Sequence, residues 1–293
     1  MSLRAWVGVL GVPALTLAVL VAASGPDEGT NREVGSRTGP ARAQVAGDVE
    51  ALLDAVRGLR PLSCALAQRT VGGRWGPGRT LSVVDAPGAP DPDAERAAGA
   101  WMGRALAAGE RGRLLDALAE PDACVRVVAA LVLGGEREPS AVPALVERAR
   151  SAAAEPALAA LRALGAGGWS EAGPGVRGLL DHPDARRRAG AAWALGGIED
   201  TAAEADLAER LSDPDRVVRR NAAWALGRLE RASAVPRLVE ALRDGEPTVR
   251  INVAWALGQI ESASAIPALT ELLATDDSPA VREAAAWALG QIE

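Results

Sequence analysis

Lysine, phenylalanine and tyrosine are absent from this 293-residue chain, and histidine occurs once. Each absence closes off a chemistry. Without lysine, the glycine-rich stretch Gly72-Gly73-Arg74-Trp75-Gly76-Pro77-Gly78 is no phosphate-binding loop, which needs that cation and a preceding strand. With His182 as the lone imidazole, no serine can share a nucleophile–base arrangement with a second histidine. His182 lies in the turn Asp181-His182-Pro183-Asp184 and is read as solvated rather than as a metal ligand. The two cysteines, Cys64 and Cys124, have no metal-site spacing. They read as small buried apolar side chains, with a disulfide as the alternative. All 32 basic residues are arginine against 38 acids, and the net charge of -6 excludes the basic stripe that nucleic acid requires. No catalytic, metal or cofactor site is expected.

The chain begins with Arg4 followed by an apolar run from Ala5 to Ala23, interrupted only by Thr16. Small residues at Val21-Ala22-Ala23 and Ala22-Ala23-Ser24 suit a signal peptidase. Nineteen helical residues also extend about 28 Å, enough for an uncleaved anchor. Either reading places the remainder on the extracytoplasmic side or in the periplasm. Residues 1–24 are therefore a signal peptide or N-terminal anchor, and 25–46 a Gly/Ser/Pro-rich linker that buries too little to fold. Residues 47–92 form a small helical unit and a loop, with helices expected at Asp48–Leu59 and Leu62–Val71. Residues 93–293 hold a repeat array.

The array is organised on Trp-Ala-Leu-Gly, at Trp193–Gly196, Trp224–Gly227, Trp255–Gly258 and Trp287–Gly290. The glycines Gly134, Gly165, Gly196, Gly227, Gly258 and Gly290 step by 31 residues and finally by 32, and Gly103 stands 31 before the first. A period of this size marks a solenoid. One degenerate and six regular repeats result, each of two helices. Pro143, Pro236 and Pro267 open the first helix, where a missing N–H is harmless. Asp122, Asp184, Asp215, Glu246 and Ser278 share the capping phase of the second. The repeat from Glu155 lacks that cap and carries Gly167, Gly168 and Gly173, so it is the expected irregular point.

The run from Asp213 to Gly227 (Asp-Pro-Asp-x-x-Val-Arg-x-x-Ala-Ala-Trp-Ala-Leu-Gly) resembles the HEAT-like repeats first named from phycobiliprotein lyases. The resemblance covers about residues 93–293 and implies an all-α fold. Antiparallel helix pairs would stack in a right-handed α-solenoid, with second helices on the concave side. Deoxyhypusine hydroxylase, built of similar repeats, holds two irons through His-Glu pairs. A chain whose one histidine precedes Pro183 has no such pair. A bilin-lyase-like catalyst is left as a fold-level analogy that export disfavours.

Two residue sets stand out. Trp193, Trp224, Trp255 and Trp287 lie on the second helix near Arg220, Ile251 and Glu283, off the Val/Leu stripe. This places the indoles toward the concave groove. They serve as a binding ladder or as packing between repeats, and the two roles are compatible. Asn221 and Asn252 share one phase and bond either an extended partner backbone or each other. The second set, Arg126, Arg188, Arg219, Arg250 and Arg282, is read as a structural ladder with capping acids, such as Arg219 with Asp184 or Asp215. Leu131 and Arg162 replace the tryptophan in the two earlier repeats. The expectation is a non-enzymatic scaffold that binds a protein or peptide, with an accessory domain of an envelope enzyme or receptor as the alternative. Leu269, Leu272 and Leu289 in the last repeat suggest an open apolar end and self-association there.

Overall fold

Three of the six second helices start on a capping aspartate, Asp122, Asp184 or Asp215. The computed structural model describes residues 49–57, 105–136, 139–151 and 153–292. The leader, the linker, the helix expected at Leu62–Val71, Cys64 and Gly103 lie outside the described residues. Helix α1 (Val49–Arg57) precedes six helix pairs: α2 (Ala108–Ala117) with α3 (Ala123–Gly134), α4 (Val142–Ala149) with α5 (Ala154–Gly167), and α6 (Gly173–Arg177) with α7 (Ala185–Ile198). Then come α8 (Glu204–Arg210) with α9 (Arg216–Leu229), α10 (Val235–Ala241) with α11 (Pro247–Ile260), and α12 (Ile266–Thr275) with α13 (Pro279–Ile292). No strand occurs among the described residues.

The caps are local consequences of sequence. Asp122 accepts from the amides of Cys124 and Val125, and Asp215 from Val217 and Val218, at 2.7–3.2 Å. Asp184 accepts from the Arg186 amide at 2.9 Å. Glu246, one methylene longer, occupies the same position without a side-chain cap bond. At α5 the N-cap is Ala153, which offers no side-chain oxygen. The first helices α4, α6, α10 and α12 carry proline in their first turn, and each follows a short 3-10 turn. Second helices α7, α9 and α11 end on Glu199, Glu230 and Glu261, all with φ between 50° and 57°. A left-handed glutamate costs about 1 kcal/mol relative to glycine, and its charge opposes the helix dipole.

Packing decides the curvature. Consecutive second helices run in close contact along the array, whereas first helices touch one another only lightly. The second-helix row is thus the inner, concave side. Small residues permit the approach: Ala191, Ala192, Ala222, Ala223, Ala254 and Ala285 are fully buried. The glycines permit it most. A Cβ on Gly196 would lie 2.6 Å from Cζ3 of Trp224 and 2.8 Å from Cα of Ala225. On Gly227 the same atom would meet Trp255 at 2.6 Å and the Ala256 backbone at 2.7 Å. Gly165 faces Trp193 and Gly258 faces Trp287 in the same way.

Three expectations need revision or refinement. Helix α1 lies against α2 and α3, burying Val49, Leu52, Leu53 and Val56. Cys124 is buried as expected but is disulfide-bonded rather than a free thiol. Leu269 and Leu272 are not exposed at an open end: both are buried, because α12 turns them onto its own partner α13, and Leu289 is half-buried.

The close approach makes a paired prediction. Gly227→Ala will destabilise the array by about 2 kcal/mol or more, since helix backbone and indole must both shift. Gly290→Ala, in the same sequence motif but with nothing within 4 Å, will be neutral or stabilising by about 0.5 kcal/mol. Urea midpoints of the two variants check this.

Candidate functional site

Three of the five phased arginines, Arg188, Arg219 and Arg250, form a ladder between repeats, with acids other than the expected Asp184 and Asp215. Arg188 Nε and Nη2 donate to the two carboxylate oxygens of Asp213 at 2.8 and 2.9 Å. Arg219 grips Asp244 at 2.6 and 3.0 Å, and Arg250 grips Asp276 at 2.7 and 2.8 Å. The partner is the turn acid of the following repeat, two residues before the cap, and not Asp184 or Asp215. The reason is direction: each fork points forward along the array. Its third nitrogen turns back, so Arg219 Nη1 donates to the Asp213 and Pro214 carbonyls at 2.9 and 3.2 Å. The acid is fixed in turn, since Asp244 Oδ1 accepts from the Glu246 amide at 2.9 Å. Guanidinium, turn and next turn are joined as one clamp.

The carboxyl groups register this. The Arg250 hydrogen bond holds Asp276 below the ordinary carboxylate range against the cost of burial. For Asp213 and Asp244 burial pushes the carboxyl up most strongly, but the arginine bonds, a turn amide and nearby charge together outweigh it, so both are lowered.

The clamp is missing at two joints. Where Arg188 and its equivalents stand, the second pair has Ala157, and where Asp213 stands, the third pair has His182. Neither half is present, so neither is left uncompensated. His182 Nδ1 accepts the Asp184 amide at 3.0 Å, reproducing the turn bond of the missing aspartate. Arg126, one joint earlier, reaches Glu155 at 3.3 Å instead of a turn acid. Arg282 in the last pair bonds the Asp276 and Asp277 carbonyls at 2.7 and 3.3 Å.

The tryptophans do two jobs. Each indole rests on the glycine of the preceding second helix. Trp255 is buried, while Trp193, Trp224 and Trp287 are half-buried and keep part of a ring open. The Trp193 and Trp224 rings stack with centroids 6.1 Å apart and planes inclined by 11°. The expected groove set therefore divides. Trp255, Ile251 and Asn252 are buried on α11, which lies between α9 and α13, and offer no free surface. Asn252 does not meet Asn221; its amide bonds the Thr248 carbonyl of its own helix at 2.8 Å. Asn221 reaches the Ala189 carbonyl of α7 at 2.8 Å. Arg220 and Asn221 are half-buried and Glu283 is exposed. Sequence reasoning missed Trp169, buried against Gly167, and the turn acids as ladder partners. The second had a signal, for Asp213, Asp244 and Asp276 share one phase. No cluster of three or more metal-ligating groups occurs among the described residues.

A row of helix pairs at one period, with an indole at four of its inner joints and an arginine clamp at three, defines an α-solenoid repeat protein. HEAT repeats match residues 111–196 and 204–290, and the PBS lyase HEAT-like repeat matches residues 187–213. The chain belongs to the HEAT-repeat family. No curated protein sequence matches it. Among solved structures, a designed armadillo repeat protein in complex with the peptide (KR)4 is 22% identical, covering 63% of this chain and all 100% of that one, with a TM-score of 0.46. The complex of CpcE and CpcF of phycocyanin lyase from Nostoc sp. PCC7120 is 24% identical over 52% of this chain and 99% of that chain, at 0.46. Human deoxyhypusine hydroxylase with glycerol is 24% identical over 85% of this chain and 96% of that chain, at 0.38.

Removing one clamp arm isolates its contribution. Arg219→Ala strands Asp244, whose side chain is 9% exposed, and will cost about 3 kcal/mol. Asp244→Ala added to that variant will cost far less than Asp244→Ala alone, a non-additivity that a double-mutant cycle reads directly. Acid supplies the second test. These carboxyls have folded pKa values below their unfolded ones. Their stabilisation is thus full above the ordinary aspartate value of about 3.9 and lost as pH falls through the folded values. Urea midpoints will be flat near neutrality and fall below about pH 4, and Asp244→Asn will lose less on acidification than the parent chain.

Proposed function

We propose that this protein is a non-enzymatic scaffold that receives a partner protein or peptide on its second-helix side, outside the cytoplasm. The observation that carries the reading is the inner row of indoles, half-open at Trp193, Trp224 and Trp287 and held rigid by glycine contacts behind them. Rigid tryptophan surface loses little conformational freedom on binding and concentrates affinity. The buried Trp255 interrupts the row, so the principal contact falls on α7 and α9 rather than across the whole array. Export rests on the leader pattern from Arg4 to Ser24.

Hydrogen exchange with a partner captured from an envelope fraction tests the face. Protection is expected on residues 185–198 and 216–229. Protection confined to the first helices would overturn the proposal.

A further inference from the structure

Several arginines of this chain are paired with carboxylate, whereas Arg162 and Arg220, half-buried on the inner row, are not. Arg162 of α5 stands at the position that tryptophan takes in the four later repeats. It is half-buried and has neither a hydrogen bond nor an ion pair among the described residues. Its surroundings already hold an excess of guanidinium: Glu155, the nearby acid, is shared by Arg126 at 3.3 Å and Arg186 at 3.4 Å. Arg220 of α9 bonds only a neutral oxygen. Its Nε and Nη2 donate to Asn221 Oδ1 at 3.3 and 3.2 Å, and Asn221 is itself tied to the Ala189 carbonyl at 2.8 Å. The guanidinium is thus oriented by an anchored amide and bonds no carboxylate. Burial pushes both groups below the usual arginine range; at Arg162 attraction from Glu155 and then repulsion from Arg126 follow, and at Arg220 repulsion from Arg216 and then attraction from Asp215. Between the two arginines, along the row, lies the helix that carries Trp193, stacked on Trp224.

We infer that Arg162 and Arg220 are carboxylate-binding positions, and that the partner presents an acidic segment whose carboxylates bracket the Trp193–Trp224 stack. The inference rests on the second-helix row being the partner face. It adds the partner's chemistry. A chain of net charge -6 repels acidic peptides in general, so such binding must be local. Forked guanidinium recognition of carboxylate supplies the geometry.

The test uses hexaglutamate and hexaglutamine peptides, titrated against the full chain at low salt with tryptophan emission as the readout. Hexaglutamate is expected to bind and to perturb the emission, and hexaglutamine to do neither. Arg162→Gln with Arg220→Gln will weaken hexaglutamate binding by at least about tenfold. Arg237→Gln, removing an exposed first-helix arginine paired with Glu240, will leave it unchanged. Neither inner variant will lower the melting temperature, since neither guanidinium holds an internal acid. Equal binding of both peptides, equal loss with Arg237→Gln, or a lowered melting temperature in the inner variants would sink the carboxylate assignment. If hydrogen exchange still shows protection on the second helices, the groove reading survives that result; protection on the first helices removes both.

Discussion

The approach of one second helix to the next, backbone against backbone beneath an indole, is the contact on which the rest depends. A glycine opens the gap, an alanine backbone enters it, and the tryptophan of the incoming repeat covers the seam. Dispersion attraction is short-ranged, so this proximity yields dense contact from small side chains. It also explains how a chain without phenylalanine or tyrosine builds a continuous core. Bulk is unnecessary where helices come this close. The first helices lack such a seam and touch one another only lightly.

Onto this contact the arginine clamps add direction. Each grips its carboxylate forward, so the joints from the third pair to the sixth are specified by residues on both of their sides. The joint between the second and third pairs shows the rule by exception. Ala157 and His182 have lost the two halves together, and Arg187 bridges to the Ser151 carbonyl in their stead. A buried acid without its arginine is costly, and so is the reverse, which makes the paired loss physically consistent.

Much of this was legible in sequence, for identifiable reasons. Period, helix boundaries and caps followed from glycine phase, proline placement and Asp122, Asp184 and Asp215, which act within a few residues of themselves. What escaped was contact between repeats. The phase of Arg219 marked it as a ladder residue, but Asp215 and Asp244 are both near in the repeat pattern, and only the direction of the fork separates them. The same holds for Ile251, Asn252 and Trp255. Their helical positions match those of Arg220, Asn221 and Trp224, yet they are buried, because exposure depends on how neighbouring helices close over each rung. Cys124 was open for a related reason: a disulfide is a long-range pairing that spacing does not reveal.

The forward reach of the clamps has a consequence for how such a chain changes length. Arg188, Arg219 and Arg250 find their acids 25 or 26 residues ahead, and Gly165, Gly196, Gly227 and Gly258 find their indoles in the following repeat. Duplicating residues 189–219, one full period within this stretch, therefore inserts a repeat whose two new joints are already satisfied. Loss of a fraction of a period satisfies neither. Growth and shrinkage of the array are quantised in whole repeats, and each added repeat lengthens the inner row without redesign of its neighbours.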